Sequence, residues 1–554
     1  MTGRAPTTVE PEPPAEQVGK NAAVIGGITM LSRIAGFGRI LVLTWAVGMG
    51  GVLDVYNTAN RVPNILYEIV AGGALAALVV PLLAAPLARR QPEVVNRTAS
   101  GLLTWSVLIL LPIGVVVALA AEPIMVALAG DSADAGDVPS NVAMGTRMIQ
   151  VFAPQLPLYG IGVVLTGILH THRQFVWPAV APLLSSLTVI AAYLAYGWTA
   201  GQGVPVADVP LGHELTLSIG TTLATVIMTF CLLIPLRRTG VRLRPSLRFG
   251  GDGVGRNVRR MALTGGVSIA AWQVSLLLVL GLTNDGLRGT VGLFSIALTL
   301  YMLPWGVFAM PLSLSAYPAL AEAHGVGDEK TYATTLSMAT RRVLLLSFLG
   351  AAALIGLAVP LSTVFQQVGG SGDVDPSLDV VSAMADALTA LGIGLVGFSL
   401  FPLLTRALYA RGAMAQAAVA TVAGWVVAYG MAIVLSAVMP IADRALAVGL
   451  GNALGMVVLG AALLVTVARV AGRASLAGTW RAGWAGAVAC LVAAVVGRWV
   501  AGLWHDPSLL DAVVSLVVAG CAMGLVFGVV SYVLNKRDVR PMTAVITSRL
   551  VRNR

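Results

Sequence analysis

The sequence predicts an all-α polytopic membrane protein of about 14 transmembrane helices, arranged as two six-helix lobes plus a carboxy-terminal helix pair. The 554-residue chain is 57% hydrophobic and only 11% charged, with a mean hydropathy of +0.86, whereas soluble domains carry about 25% charged residues. Its apolar runs reach the ~20 residues that cross a bilayer core, and the connectors between them alternate in charge. A soluble enzyme, a secreted disulfide scaffold and a disordered chain are thereby excluded.

The apolar runs define the predicted spans in order. They cover residues 22–48, 52–87, 99–121, 143–169, 176–198, 214–236, 259–283, 289–320, 338–362, 380–405, 413–437, 444–469, 482–503 and 511–534. Residues 1–20 are rich in proline and glutamate and hold almost no large apolar side chain, which predicts a disordered cytosolic tail. The first run is too long for a signal peptide and is interrupted by arginine, so we expect it to remain as a span.

Basic residues concentrate in every second connector. One side of the predicted bundle carries clusters such as Arg89, Arg90 and Arg97, together with the basic tail 536–554, whereas the other side carries acidic connectors such as the one around Asp373. By the positive-inside rule both termini are cytosolic. The net charge of +10 then reflects membrane topology, and no nucleic-acid partner is expected.

The longest basic connector follows the sixth span and divides the chain. Residues 237–258 form a predicted cytosolic linker between an N-lobe at 21–236 and a C-lobe at 259–469, and the last two spans form a pair at 470–535. Attraction of this linker to anionic lipid and a purely topological role both remain open.

Ionisable residues inside the spans are functional candidates, because a charge near the bilayer centre costs a few kcal/mol on insertion scales. Span one carries Arg33 and Arg39, and span two carries Asp54, Arg61 and Glu68. Guanidinium groups stay protonated and bind phosphate oxygens through paired hydrogen bonds. Two arginines at staggered depths therefore suit an extended anion such as a pyrophosphate.

The three charged residues of span two are seven positions apart and are predicted to share a helix face. If spans one and two form a tight antiparallel hairpin, Glu68 lies level with Arg33, and Arg61 lies level with Arg39. The structural interpretation is an ion pair between Arg33 and Glu68 that holds the hairpin together. Because two level arginines repel each other in a dry core, the functional interpretation is a water-filled cavity that receives an anionic substrate.

Polar residues and prolines add to this candidate site. Asn57, Asn60 and Asn64 suit a hydrated sugar or peptide headgroup, although hydrogen bonds between helices explain them equally well. Pro63 and Pro304 are predicted hinges. Three further polar residues occur singly near span ends and are predicted to be structural: Arg147, Gln273 and Asp386.

Catalytic and metal motifs are missing from the sequence. There is no P-loop, HExxH or GxSxG motif in a credible context, and the three cysteines lack the spacing of metal ligands. The sequence therefore predicts a transporter that is not an enzyme, with no cofactor and no metal site. Transport by alternating access is the class of function that remains.

Two segments resemble one transporter family. The run from Thr29 to Leu75 reads TMLSRIAGFGRI followed by LDVYNTANRVPNILYEIVAGGAL. Its SR-x-x-GF-x-R and D-x(8)-PN patterns resemble the opening signature of the MurJ/MviN lipid II flippases of the multidrug/oligosaccharidyl-lipid/polysaccharide exporter superfamily. The run LPWGVFAMPLSLSAYPALAEAHGVGD resembles the end of span eight in that family. With fourteen spans in a six, six, two arrangement, the resemblance covers residues 21–535.

The resemblance implies a flippase that moves undecaprenyl-pyrophosphate-linked disaccharide-pentapeptide (lipid II) from the inner to the outer leaflet of the bacterial cytoplasmic membrane for peptidoglycan biosynthesis. It implies pyrophosphate contacts at Arg33 and Arg39 and an essential carboxylate near the gate at Asp54. The expected partners are the lipid-linked glycan, membrane lipids, and cell-wall synthesis or division proteins.

The chain also departs from the family pattern. Tyr67 and Glu68 stand where the family usually has a basic residue, Gly72 stands where it has an acidic residue, and Thr299 stands where it has a cavity arginine. Span eleven lacks the carboxylate that some members use for sodium. The cavity is therefore expected to hold fewer cations, and sodium coupling is in doubt.

Other functions fit parts of the pattern. A flippase for another polyprenyl-pyrophosphate-linked glycan makes the same physical demands. A small-molecule cation antiporter predicts a cavity dominated by carboxylates, whereas span one carries arginines. A non-transporting scaffold of a division or cell-wall complex has no need of charges inside its spans.

Overall fold

The computed structural model describes residues 15–68, 89–128, 138–247, 272–370, 372–504 and 508–540, with isolated positions between 79 and 87. Side chains are described from Gly27 onward. The predicted tails at 1–14 and 541–554, the acidic connector at 131–137, linker residues 248–258 and Gly72 lie outside the described residues. Within the described ranges the chain forms helices and no strand.

The N-lobe consists of the first nine described helices. They are α1 (Ala15–Val47), α2 (Gly51–Tyr67), α3 (Pro92–Leu119), α4 (Ala121–Leu128), α5 (Val138–Phe152), α6 (Gln155–Thr171), α7 (Val176–Ala200), α8 (Leu211–Phe230) and α9 (Leu233–Leu236). A turn at Ala153 and Pro154 separates α5 from α6, because proline lacks the N–H group that a continuous helix needs.

The C-lobe and the carboxy-terminal pair follow. Their helices are α10 (Trp272–Asn284), α11 (Thr290–Pro304), α12 (Met310–Gly325), α13 (Glu329–Gly356), α14 (Ala358–Gly369), α15 (Val380–Ala410), α16 (Met414–Val438), α17 (Arg444–Val470), α18 (Thr479–Ala501) and α19 (Leu509–Leu534). Several begin at a side-chain cap. The Asp328 carboxylate, for example, accepts a hydrogen bond from the backbone N–H of Thr331, and its bonds to Thr331 lower the pKa of Asp328 below the usual value.

The described residues contain 12 helical stretches that are long and apolar enough to cross a membrane. Predicted spans two and seven correspond to the shorter helices α2 and α10, whose continuations fall mostly outside the described residues. The all-helical polytopic fold is therefore confirmed, and the count of fourteen stays a prediction. One boundary needs correction. Helix α1 begins at Ala15, inside the predicted disordered tail 1–20, because the residues after Pro14 are mostly good helix formers.

The most extensive helix contacts join neighbours on the same side of the predicted division into lobes, which itself stays a prediction. In the N-lobe α1 packs on α7 and α7 on α8, whereas in the C-lobe α17 packs on both α15 and α16. The pair α18 and α19 packs against α13 and α14 of the C-lobe. Small residues permit these close contacts. A Cβ atom added to Gly397 of α15, for instance, would clash with the backbone carbonyl of Met456 in α17.

The start of the interlobe linker is fixed to the N-lobe as an extended strap, residues 241–247. Its backbone N–H groups donate to three side chains at four-residue intervals on α3: Arg242 to Asn96 (2.9 Å), Arg244 to Ser100 (3.0 Å) and Ser246 to Thr104 (3.0 Å). Residues four apart lie on one face of a helix, so α3 presents a polar stripe that satisfies alternate amides of the strap.

Removing the polar stripe should release the strap. In the triple variant Asn96→Ala, Ser100→Ala, Thr104→Ala, each lost hydrogen bond costs ~1 kcal/mol, so amide exchange in the strap should accelerate by about fivefold or more. Hydrogen–deuterium exchange of peptides that cover residues 241–247 measures this. Thr188→Ala is the control, because the Thr188 hydroxyl bonds only a carbonyl within its own helix. Unchanged protection of the strap in the triple variant would contradict the assignment.

Candidate functional site

A central cavity lies between the two lobes. Its first chamber, of about 380 Å³, is lined by α1, α2, α7, α8 and α11. A second chamber of about 660 Å³ adjoins it and extends to α10. The two chambers share Arg39, Arg61, Asn64 and Thr299 in their walls, so they form one continuous space.

The residues predicted to bind substrate meet in this cavity. Those that line its first chamber are Arg33, Arg39, Asn57, Arg61 and Asn64. Among the described residues, none of the three guanidinium groups forms an ion pair with a carboxylate. The chamber therefore presents unneutralised cations beside amide groups, and this arrangement can bind an anion that carries hydroxyl or peptide groups.

The predicted ion pair between Arg33 and Glu68 is not formed in the structure. Arg33 instead reaches the C-lobe, where its Nη1 would lie 2.5 Å from a Cβ atom added to Gly306, while Glu68 lines the second chamber. The tight hairpin behind the prediction is also wrong. Helix α1 packs mainly on α7 and α14, and α2 packs mainly on α5 and α11, so α1 and α2 diverge and the cavity opens between them.

The two predicted hinge prolines occupy different settings. Pro63 lies within α2, which continues through it to Tyr67. Pro304 is the last residue of α11, and the next five residues, Trp305–Ala309, form a π-helical turn that leads into α12. Such turns within helices occur frequently at functional sites. The hinge roles of both prolines stay predictions.

Asp54 joins the two lobes. Its carboxylate oxygens accept hydrogen bonds from the backbone N–H groups of Gly289 (2.7 Å) and Gly292 (2.6 Å). These amides lie at the amino-terminal end of α11, where unpaired N–H groups and the helix dipole favour a negative charge. A side chain of the N-lobe thus caps a helix of the C-lobe.

The lobes close tightly around this contact, in a region that we call the closed end. It comprises the chain segments 48–54, 202–206, 284–292, 369–370 and 372–375. The backbone N–H of Gly51 donates to the carbonyl of Asp373 (3.3 Å), and a Cβ atom added to Gly203 would lie 2.5 Å from the Cα of Gly372. Only glycine permits such a close approach of two backbones. Thr58 and Asn284 add a side-chain contact between the lobes at 3.4 Å.

The N-lobe wall of the first chamber contains polar residues that the sequence analysis missed. The Tyr56 hydroxyl forms hydrogen bonds with the hydroxyls of Tyr193 (2.7 Å) and Thr221 (2.8 Å). Tyr56 precedes Asn60 and Asn64 at four-residue intervals, and this pattern could have identified it. Tyr193 and Thr221 lie in apolar spans that carry several other hydroxyl residues, and nothing in the sequence distinguishes these two.

The isolated polar residues have different roles. Arg147 forms an ion pair with Glu214 (2.6 Å), which agrees with its predicted structural role. Gln273 was predicted to be structural, but it lines the second chamber. Among the residues that the structure describes, no group of three or more His, Cys, Asp or Glu side chains is placed to hold a metal ion.

Two helical lobes around a cationic cavity that is shut at one end define a membrane transporter of the alternating-access class. Solved structures share this fold. A structure entitled "Lipid II flippase MurJ, inward closed conformation" matches with a TM-score of 0.69 and 17% identity, over 91% of this chain and 98% of that one. An inward-facing multidrug resistance MATE family transporter of the MOP superfamily matches with a TM-score of 0.64 and 15% identity, over 81% of this chain and 98% of that one.

Sequence comparison identifies the family. The family model described as "Lipid II flippase MurJ" matches residues 43–518, and this chain belongs to that family. A probable lipid II flippase MurJ of Rhizobium meliloti is 27% identical over 71% of this chain and 70% of the relative. The lipid II flippase MurJ of Burkholderia cenocepacia is 27% identical over 70% and 72%. The chain is thus a multi-pass transporter of the bacterial inner membrane and not an enzyme.

Replacing Asp54 should weaken the closed end. Loss of a helix cap costs about 1–2 kcal/mol, so Asp54→Ala should raise the ratio of open to closed molecules at this end by about 5- to 30-fold. Spin labels at the exposed positions Ala207 and Ser377 report the distance between the lobes by pulsed electron resonance. The exposed native thiol, Cys521, is first replaced by serine.

The matched control is Asp208→Ala, which removes an exposed carboxylate at the same end. We expect it to leave the distance distribution unchanged. Identical distributions for Asp54→Ala and the wild-type protein would show that the cap does not hold the lobes together.

Proposed function

We propose that this chain moves lipid II from the inner to the outer leaflet of the cytoplasmic membrane by alternating access. The observation that carries the proposal is a cavity between the lobes in which three arginines face the empty space without carboxylate partners among the described residues. Relatives named lipid II flippase MurJ support the choice of substrate.

Each part of the substrate matches a part of the site. Arg33, Arg39 and Arg61 bind the pyrophosphate, since guanidinium groups form paired hydrogen bonds with phosphate oxygens and remain charged. Asn57 and Asn64 bind hydroxyl or amide groups of the headgroup. The polyprenyl tail stays in the bilayer, because its transfer into a polar cavity would expose a long apolar surface to water.

The closed end sets the direction of loading. The positive-inside rule places both termini in the cytosol, and the closed end then faces the outside. The cavity is thus in the state that accepts substrate from the inner leaflet. Release requires separation of the lobes at the closed end, including loss of the two hydrogen bonds of Asp54. Because lipid II is consumed outside the cell, we expect protein partners among the cell-wall synthesis or division proteins.

The cavity arginines should be required for flipping. After depletion of this protein in its own host, lipid II should accumulate in the inner leaflet, and wild-type protein should restore its distribution. Arg33→Ala and Arg39→Ala should each reduce the flipping rate about tenfold or more, because each removes a charge-assisted hydrogen bond worth about 1.5–3 kcal/mol. A leaflet-resolved lipid II assay measures this.

Arg473→Ala is the control, since Arg473 is exposed in a short connector outside the cavity, and we expect it to restore flipping fully. An unchanged lipid II distribution with build-up of another lipid-linked glycan would assign this chain to flipping of that glycan. Full rescue by Arg33→Ala and Arg39→Ala would refute the role of the cationic cavity.

A further inference from the structure

Among the described residues that line the otherwise cationic cavity, one carries a carboxylate. Glu68 lines the second chamber together with Arg39 and Arg61. Among the described residues, no basic group lies within the 4.0 Å of an ion pair with Glu68. A charge within a membrane domain is costly unless it meets water or a partner of opposite sign. The carboxylate of Glu68 is therefore available to a ligand in the cavity.

Helix geometry explains why Glu68 does not neutralise the arginines. Glu68 follows Arg61 by seven positions, which is two helical turns and about 10 Å along the axis of α2. The guanidinium groups of Arg39 and Arg61 lie nearer the closed end, where the first chamber also contains Thr44 and Leu53. Arg33 lies at about the depth of Glu68, on α1, and reaches across to Gly306 of the C-lobe. The carboxylate lies toward the opposite end of the second chamber. The Glu68 carboxylate is thus separated along the cavity from the guanidinium groups of Arg39 and Arg61.

Apart from Arg39 and Arg61, the polar side chains around Glu68 are neutral. The second chamber also contains the side chains of Ser185 and Ser186 from α7, Thr225 from α8 and Gln273 from α10. On the α2 side, the rings of Tyr67 and Tyr159 lie 4.5 Å apart, and the Tyr159 hydroxyl donates to Asn64 (3.2 Å). Hydroxyl and amide oxygens accept hydrogen bonds from an ammonium group, which has three donors and no acceptor.

We propose that Glu68 binds a cationic group of the substrate headgroup, namely a primary ammonium of its peptide, while the arginines hold the pyrophosphate. This inference rests on the proposed function, since it assigns a second contact to the same substrate. A diamino acid in the peptide of the headgroup, with its side-chain amine free, would supply such an ammonium. A headgroup with an anionic diphosphate at one end and an ammonium on its peptide matches the charge pattern of the cavity.

The proposal makes Glu68 a determinant of specificity. A polyprenyl-pyrophosphate-linked glycan without an amine satisfies the arginines but leaves the carboxylate unpaired in the loaded cavity. Leaving a buried polar group without its partner carries the full cost of its desolvation. Glu68 therefore favours an amine-bearing headgroup over a neutral one, even though both offer the same pyrophosphate.

A double comparison of protein and ligand tests the inference. The full chain in phosphatidylcholine nanodiscs is titrated with lipid II and with lipid II whose peptide amine is acetylated, which removes the positive charge and retains the rest of the headgroup. Acetylation should weaken binding to the wild-type protein about tenfold, as expected for a charge-assisted hydrogen bond. Glu68→Gln should bind both ligands equally, with the affinity that the wild-type protein shows for the acetylated ligand.

Glu322→Gln is the matched control. Glu322 is exposed near the end of α12 and lies outside both chambers, so this variant should keep the tenfold preference. Equal affinities of the wild-type protein for the two ligands would overturn the inference while leaving lipid II as the substrate, and so would a preference that persists in Glu68→Gln. If Glu68→Gln fails to fold, the comparison of ligands on the wild-type protein still decides. No binding of either ligand would overturn the proposed function itself.

Discussion

Guanidinium groups keep their charge inside a membrane, and the arrangement of the two lobes follows from that constraint. Arg33, Arg39 and Arg61 are carried by α1 and α2, yet these helices pack on different neighbours. The space between them forms much of the wall of the central cavity. If the two helices closed on each other, the three cations would meet in a dry core, where their repulsion would be strong. Because α1 and α2 diverge and the lobes are separated, the three guanidinium groups avoid this repulsion.

Helix α11 connects this cavity to the closed end. At its amino-terminal end, backbone amides bind Asp54 of α2, and just beyond its carboxy-terminal end Gly306 lies against Arg33 of α1. Both contacts cross from one lobe to the other. Arg33 and Asp54 therefore contact one continuous helical stretch, Thr290–Gly325, and a shared element of this kind can couple two sites energetically. Glu68 takes part in neither of these contacts, so we assign it to recognition of the substrate and not to closure.

The sequence predicts those features that depend on transfer between water and lipid. The predicted span 413–437 agrees with Met414–Val438, because apolar length determines which segments enter the bilayer. The convergence of Arg33, Arg39 and Arg61 was predicted for the same reason, since charges inside spans are costly. The prediction of an ion pair between Arg33 and Glu68 was wrong, because equal depth in the bilayer does not show that two helices touch. The partners of Asp54 are backbone N–H groups. Because every residue except proline carries one, the sequence does not identify which of them Asp54 contacts.

The seam between Gly203 and Gly372, where backbone meets backbone, has a consequence for pharmacology. Such a contact holds the lobes through shape alone and offers no side chain that could move aside. A molecule that inserts a methyl-sized group into this seam from the aqueous side would act as a wedge and keep the lobes apart there. Such a molecule would bind without competing with the lipid for the arginines. A larger residue at either glycine would exclude the molecule, but it would also obstruct closure of the lobes. Resistance at this seam would therefore carry a fitness cost.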